Sequence, residues 1–285
     1  MCKEVMGSLS WVKESNVIVV NEAISLQPAS SSLGKVRHVI GISSCKGGVG
    51  KSTVSMLLAS ALRKRGLQVG LLDADVYGPS LPYLANVPDT TVRRDPSTAG
   101  YILPLEDNQG IKMLSFGHVN PKAGAPGAGG QGAAVMRGPV VSRVINQLLH
   151  KTQWGELDYL LIDMPPGTGD IQITLSQAVA LTGVVVVTTP HMLSVADVSK
   201  GIDMFRDLNV PTLAVVENMS YFECRAGARY YPFGKGGRAD LLAALSAVSS
   251  SSGPDGAASR VTACPFHSVP LSRGDEPTDD ALVGT

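Results

Sequence analysis

The sequence predicts an α/β fold, a mostly parallel sheet with helices on both faces, and three observations carry that prediction. Short apolar runs alternate with segments of helical periodicity, the runs are bounded by turn residues, and the first of them leads into a glycine-rich, lysine-containing loop with a helical pattern directly behind it. Ligands of such folds gather at the carboxyl ends of the strands, so the residues just after each run are the candidates for function.

The strand runs are Val36–Ser43, residues 68–73, Leu157–Asp163, Gly183–Thr188 and Thr212–Glu217, each β-branched or leucine-rich. Between them, residues 53–65, Gly138–His150, 171–181 and 194–208 carry apolar side chains at spacings of three and four, which predicts helices. Residues 101–105 and 111–116 read as two hairpin strands, and the Gly- and Ala-rich stretch 121–134 as a mobile loop. Residues 1–34 hold a helix-like piece at 3–9 and a strand-like piece at 16–20, too little to form a core alone. Residues 246–259 are mostly Ser, Gly and Ala and read as a flexible linker, with a tail from Cys264 too short for a domain. The organisation expected is one large domain over residues 35–245, flanked by 1–34 and by 246–285.

Composition narrows the function. The 285 residues are 44% hydrophobic, enough for a full core, and 24 basic residues balance 24 acidic ones without a block of like charge. A nucleic-acid groove and an anionic membrane surface are therefore disfavoured. No apolar stretch reaches the length of about 18 residues that a membrane span needs, since residues 178–189 are broken by Thr182 and Gly183. The N-terminus has neither the zones of a secretory signal nor the arginines of a transit peptide, which makes a cytoplasmic location the default. The four cysteines, Cys2, Cys45, Cys224 and Cys264, form no C-x-x-C pair, and the five histidines show no ligand spacing.

The main motif is residues 45–53, Cys-Lys-Gly-Gly-Val-Gly-Lys-Ser-Thr, a phosphate-binding loop between a strand and a helix. Gly47, Gly48 and Gly50, with Val49 and Thr53, supply backbone N–H groups that turn around phosphates; Lys51 reaches the β and γ oxygens and the Ser52 hydroxyl coordinates magnesium. Cys45 replaces the first glycine of the general pattern, and a second lysine, Lys46, follows it. A cysteine there is expected to pack beneath the loop.

Carboxylates follow at other strand ends. Asp73 and Asp75 point the same way if the second strand continues, either to hold a magnesium-bound water and orient the attacking water or to cap the turn that follows. Asp163, at the end of the apolar strand 157–163, is the expected magnesium-side acid, and the loop Met164-Pro165-Pro166-Gly167-Thr168-Gly169 behind it is suited to moving with the γ-phosphate. Asn218 places an amide where an adenine edge is readable by its paired donor and acceptor, or else forms a turn.

With CKGGVGKST at 45–53, DADVYGPSLP at 73–82, MRGPVVSRVINQLL at 136–149, DYLLIDMPPGTGD at 158–170, ENMSYF at 217–222 and FGKGG at 233–237, the chain resembles the Mrp group of P-loop ATPases, relatives of the MinD/ParA class with its deviant Walker A loop. The MRGPVV and Tyr230-Tyr231-Pro232-Phe233 details are similar to the high-chlorophyll-fluorescence branch known from chloroplasts, which implies a plastid or mitochondrion as the alternative compartment. Residues 9–20 look like the tail of the small iron–sulfur-assembly domain that precedes the ATPase in that branch, a remnant without its front half. The resemblance implies a homodimeric ATPase using ATP and Mg2+ that assembles or carries iron–sulfur clusters for client apoproteins, with another scaffold protein as a further partner. Lys46 would then reach across the dimer to the partner's phosphates, and Asp75 would orient the attacking water.

Many members carry C-x-x-C after the ENM segment, so that two subunits supply four thiolates to a bridging [4Fe-4S] cluster. Here the stretch reads Cys224-Arg225-Ala226-Gly227, and a symmetric dimer offers two thiolates. Completing the set requires Cys264, an exogenous thiol or a partner protein. The departure keeps a second reading open, a cluster-free nucleotide switch of the MinD/ParA kind, beside a third in which the reduced flanks mark a degenerate chain.

Overall fold

The computed structural model describes residues 32–120, 138–224, 228–235 and 266–268. Their organising feature is β1 (Val36–Ser43), which lies at the middle of the main sheet, paired in parallel with β5 (Leu157–Asp163) on one side and β6 (Gly183–Thr188) on the other. The strand order is β10-β7-β6-β1-β5-β2-β4-β3, where β2 is Val69–Asp73, β3 Leu105–Glu106, β4 Lys112–Ser115, β7 Thr212–Glu217 and β10 Phe266–Ser268. Every neighbouring pair is parallel except β3 with β4. A separate two-stranded ribbon joins β8 (Phe222–Glu223) to β9 (Arg229–Tyr230).

The near-continuous apolar strands follow from burial on both faces. Leu72, Leu160, Ile162, Val184, Val186 and Val215 enter one core, with Leu149 from α4 (Gly138–His150), Leu175 from α5 (Asp170–Ala178) and Phe205 from α6 (Met192–Asp207). Their sequence neighbours Leu71, Leu161, Val185, Val187 and Val216 enter the opposite core, with Val54, Ala59 and Leu62 from α1 (Lys51–Lys64). Successive residues of a strand thus stabilise different layers, each fully buried side chain contributing about 1.5–3 kcal/mol. Two short helices, α2 (Leu81–Leu84) and α3 (Phe116–Val119), lie against one another beyond the ends of β2 and β4.

Several expectations are corrected. The hairpin of 101–105 with 111–116 shrinks to β3 and β4, and β4 is also a parallel neighbour of β2, which places it in the main sheet. Ile102 instead makes isolated bridges to Arg94 and Thr152. Helix α1 starts at Lys51, two residues early, because Gly50 ends the loop in a left-handed conformation and its carbonyl accepts the Val54 N–H. Helix α5 ends at Ala178, three residues short. The stretch 246–285, expected as linker and tail, supplies β10 at the sheet edge, so the sheet extends past residue 245. The expectations for 1–31, for the loop 121–134 and for the linker 246–259 lie outside the described residues.

Candidate nucleotide site

At the carboxyl end of β1 the chain enters the phosphate loop, where Gly48 (φ 78°) and Gly50 (φ 81°) adopt the left-handed region. Gly47 and Gly48 are exposed, and a Cβ on either would meet no atom within 4 Å, so the loop's concave side is open. Gly50 is under a second constraint: a Cβ there would stand 2.3 Å from the Asn218 Nδ2 atom. The loop passes directly into the 14-residue α1, whose first N–H groups have no intrahelical partner and favour an anion. A cavity of about 440 Å3 lies over this helix start, lined by the phosphate loop with Ser52 and Thr53 and by Asp75, Pro79, Tyr83 and Pro166.

Beneath the loop, Lys51 is 6% exposed and its Nζ lies 2.7 Å from Oδ1 of Asp163, itself 2% exposed. The Ser55 hydroxyl approaches the same carboxylate oxygen at 2.8 Å, and the Lys51 carbonyl at 3.0 Å. Lys51 Nζ is also 3.4 Å from the Ser52 hydroxyl. Lys51 thus stands between two oxygen-bearing groups, the Asp163 carboxylate and the Ser52 hydroxyl. These residue types fit magnesium, a hard cation that takes oxygen ligands and keeps several waters. Sequence reasoning missed Ser55, although it stands four residues after Lys51, on the same helical face.

Asp73 departs from the magnesium-side expectation. Its Oδ1 accepts the Asp75 N–H at 3.0 Å; its Oδ2 accepts the Ser80 N–H at 3.0 Å, the Leu81 N–H at 3.1 Å and the Ser115 hydroxyl at 3.0 Å. Both oxygens accept hydrogen bonds from the 75–81 turn, and Oδ2 also from β4, so Asp73 anchors that turn. Burial, and then the Asp163 charge, push its carboxyl up to about 7, against the pull of the backbone donors and Lys51. The alternation that would point Asp73 and Asp75 the same way does not apply, because β2 ends at Asp73. Asp75 lines the cavity and accepts the Gly78 N–H at 3.1 Å; burial raises its pKa, opposed by Lys51 and that N–H.

Asn218 makes a contact that the sequence reading did not foresee. Its Nδ2 donates to the Val49 carbonyl at 2.8 Å, within the phosphate loop, and its own backbone N–H donates to Thr188 at 2.7 Å. One of the two Nδ2 hydrogens is therefore engaged, and the residue ties the phosphate loop to the ends of β6 and β7. Asn218→Ala is expected to weaken nucleotide affinity by about 1–3 kcal/mol, the cost of leaving the buried Val49 carbonyl unpaired. Titration of a fluorescent nucleotide checks it, and an unchanged affinity would remove the clamp from the account.

The remaining candidates separate. Lys46 and Thr53 are exposed and Ser52 is half-buried. The Cys45 sulfur packs as expected beneath the loop, where a Cβ on Gly201 of α6 would lie 2.3 Å from it, and burial followed by the Asp197 charge pushes the thiol up to about 11. Cys224, half-buried, follows β8 on the ribbon and donates its N–H to the Ala228 carbonyl at 2.9 Å; it is not part of the cavity wall. Gly227 and Cys264 lie outside the described residues. Among the described residues, no group of three or more His, Cys, Asp or Glu is placed to hold a metal ion, and no helix is long and apolar enough to cross a membrane.

Comparison with known proteins agrees with this geometry. Residues 35–251 match the ParA family described as NUBPL iron-transfer P-loop NTPases. The chloroplastic Fe-S cluster assembly factor HCF101 of Arabidopsis thaliana is 50% identical over 247 residues, 84% of this chain and 43% of that protein. The iron-sulfur cluster carrier protein of Aquifex aeolicus is 49% identical over 202 residues, 70% of this chain and 53% of that protein. The chain thus spans about half the length of these relatives. Among solved structures, a nucleotide-binding protein in complex with ADP from Archaeoglobus fulgidus matches with a TM-score of 0.66 at 34% identity, over 88% of this chain and 86% of that one. The family match begins one residue before β1 and takes in the phosphate loop, Asp163 and Asn218, so the chain belongs to the iron-transfer P-loop NTPase family.

Proposed function

We propose that this chain is a slow, magnesium-dependent ATPase that works as a homodimer and assembles or carries an iron–sulfur cluster for delivery to apoproteins. The observation that carries the nucleotide half is the buried Lys51–Asp163 pair beneath an open, left-handed glycine loop at a helix N-terminus. The glycine-loop N–H groups and Lys51 hold the phosphates, while Ser52 and Asp163 would hold a magnesium ion, which would supply charge neutralisation at the phosphate oxygens. Asp75 orients a water for in-line attack on the γ-phosphorus. The new P–O bond forms as the bond to the β,γ-bridging oxygen breaks, and ADP and phosphate leave. Lys46, exposed at the loop, is supplied to the partner subunit's site, as an arginine finger is supplied in trans.

The cluster is cargo in this reading. Cys224 gives each chain one thiolate on the β8–β9 ribbon, away from the nucleotide cavity, and a dimer brings two to a shared [4Fe-4S] cluster. The relatives' names support the cluster half, and the chloroplastic relative supports a plastid as the alternative to the cytoplasm. Client apoproteins and an upstream scaffold are the partners; nucleic acid and membrane are not. The unit that does this comprises residues 35–245 together with β10. The lone ribbon cysteine favours the second reading, a cluster-free nucleotide switch.

Anaerobic reconstitution with iron and sulfide, run on the wild type and on Cys224→Ala, separates the two. The carrier reading expects iron and sulfide bound by the wild-type dimer and lost in the variant. Neither protein retaining a cluster would leave the switch reading in place.

A further inference from the structure

Pro165 and Pro166 sit in the loop that joins β5 to α5, and neither has an N–H to donate. Such a loop is fixed by what its carbonyls accept and by the few donors around it. Met164 and Gly167 supply two: the Met164 N–H donates to the Ile42 carbonyl at 3.0 Å, and the Gly167 N–H to the Ser44 carbonyl at 2.8 Å, with Gly167 in the left-handed region (φ 100°). The third fixing point comes from a side chain. Gln172, on the first turn of α5 and only 1% exposed, donates from Nε2 to the Pro165 carbonyl at 2.5 Å and accepts the Ser43 hydroxyl on Oε1 at 3.5 Å.

These bonds join three parts of the site. Ser43 closes β1, and Ser44, next to it, lines the cavity and donates its hydroxyl to the Lys46 carbonyl at 3.0 Å. Pro166, between the two pinned residues, lines the same cavity, as does Asp75. One carboxamide thus holds the strand that feeds the phosphate loop and the loop that brings Pro166 to the cavity.

We propose that Gln172 is a positioning residue of the nucleotide site: its carboxamide fixes the Pro165–Gly167 loop against the phosphate loop and so sets how well the site distinguishes a nucleoside triphosphate from a diphosphate. A diphosphate is held by the phosphate loop and Lys51 alone. A third phosphate needs further room in the cavity that Asp75 and Pro166 also line, and in this reading its contacts depend on where the Pro165–Gly167 loop is held. The inference rests on the proposed nucleotide reading and deepens it. Changing Gln172 removes the side-chain donor that the Pro165 carbonyl accepts in this structure.

The test uses the full chain and two substitutions of similar volume, Gln172→Glu, which keeps an acceptor and loses the donor, and Gln172→Met, which loses both. Dissociation constants for MgADP and Mg-ATPγS are measured by calorimetry, with kcat and KM for ATP alongside and a thermal melt to show that each variant is folded. The expected result is an MgADP affinity within about twofold of wild type, a preference for Mg-ATPγS over MgADP reduced roughly tenfold, and kcat reduced roughly ten- to a hundredfold. Ser43→Ala, which removes only the donor to Oε1, reads the same selective loss at smaller size should neither Gln172 variant fold. Equal weakening of both nucleotides, or no change in either, overturns the proposal and leaves Gln172 as core packing. A wild-type chain that binds neither nucleotide overturns the nucleotide reading itself.

Discussion

Lys46→Ala is expected to bind MgATP about as tightly as the wild type and to turn it over some 10³- to 10⁵-fold more slowly, the span seen when a trans-acting cation is removed from phosphoryl transfer. The geometry separates the two lysines of the loop. Lys51 is buried on Asp163 of its own chain, whereas Lys46 is exposed. Loss of a cation that acts only as charge develops in the transition state lowers kcat and leaves ground-state binding alone. Binding of a fluorescent ATP analogue together with phosphate release measures both quantities. A mixture of Lys46→Ala with Asp75→Asn sharpens the test, since a mixed dimer regains one complete site only if the lysine crosses between subunits. Unchanged turnover in Lys46→Ala would sink the trans role.

Asp163→Ala is expected to lower the stability of the nucleotide-free protein by about 3–5 kcal/mol, the cost of stranding one member of a buried ion pair. The substitution leaves the Lys51 ammonium and the Ser55 hydroxyl without their shared acceptor at 2.7 and 2.8 Å. For a chain of this size the loss corresponds to a fall in Tm of roughly 6–20 °C. Asp163→Asn retains an acceptor of the same shape and should lose less. Both variants should also lose magnesium-dependent nucleotide binding. Thermal and urea unfolding of the two variants measure the stability term, and a melt of Asp163→Ala within a degree of wild type would show that the pair contributes little.

The parts of this molecule that rest on local pattern were legible from the residues. β1, β5, β6 and β7 carry continuous apolar runs because both sheet faces are covered, and their bounds match the reading residue for residue. Gly47–Ser52 was legible because a phosphate loop concentrates its chemistry in consecutive residues. What escaped is held by contacts distant in sequence. Asn218 meets Val49 across 169 residues, and a clamp and a base-reading amide look alike in sequence. Asp73 collects its donors from Ser80, Leu81 and Ser115, a basket that no spacing announces. β4 was paired with its neighbour β3 alone because hairpin pairing is local, while its other partner, β2, lies across a crossover. Ser55 and Gln172 have unremarkable surroundings in sequence and gain their roles only once β1, α1 and α5 converge.

The pairing of β10 with β7 bears on how the chain comes to be assembled. Phe266 stands beside Val215, 51 positions earlier, so β7 waits for a strand made late, with its own N–H and C=O row open on that side until then. β7 and its neighbour β6 are rich in valine and carry few charges, the composition that invites a foreign strand. During synthesis the flank of β7 is therefore a place where another unfinished copy can add, and the arrival of Phe266–Ser268 lessens that hazard by covering Val215–Glu217 from within the same molecule.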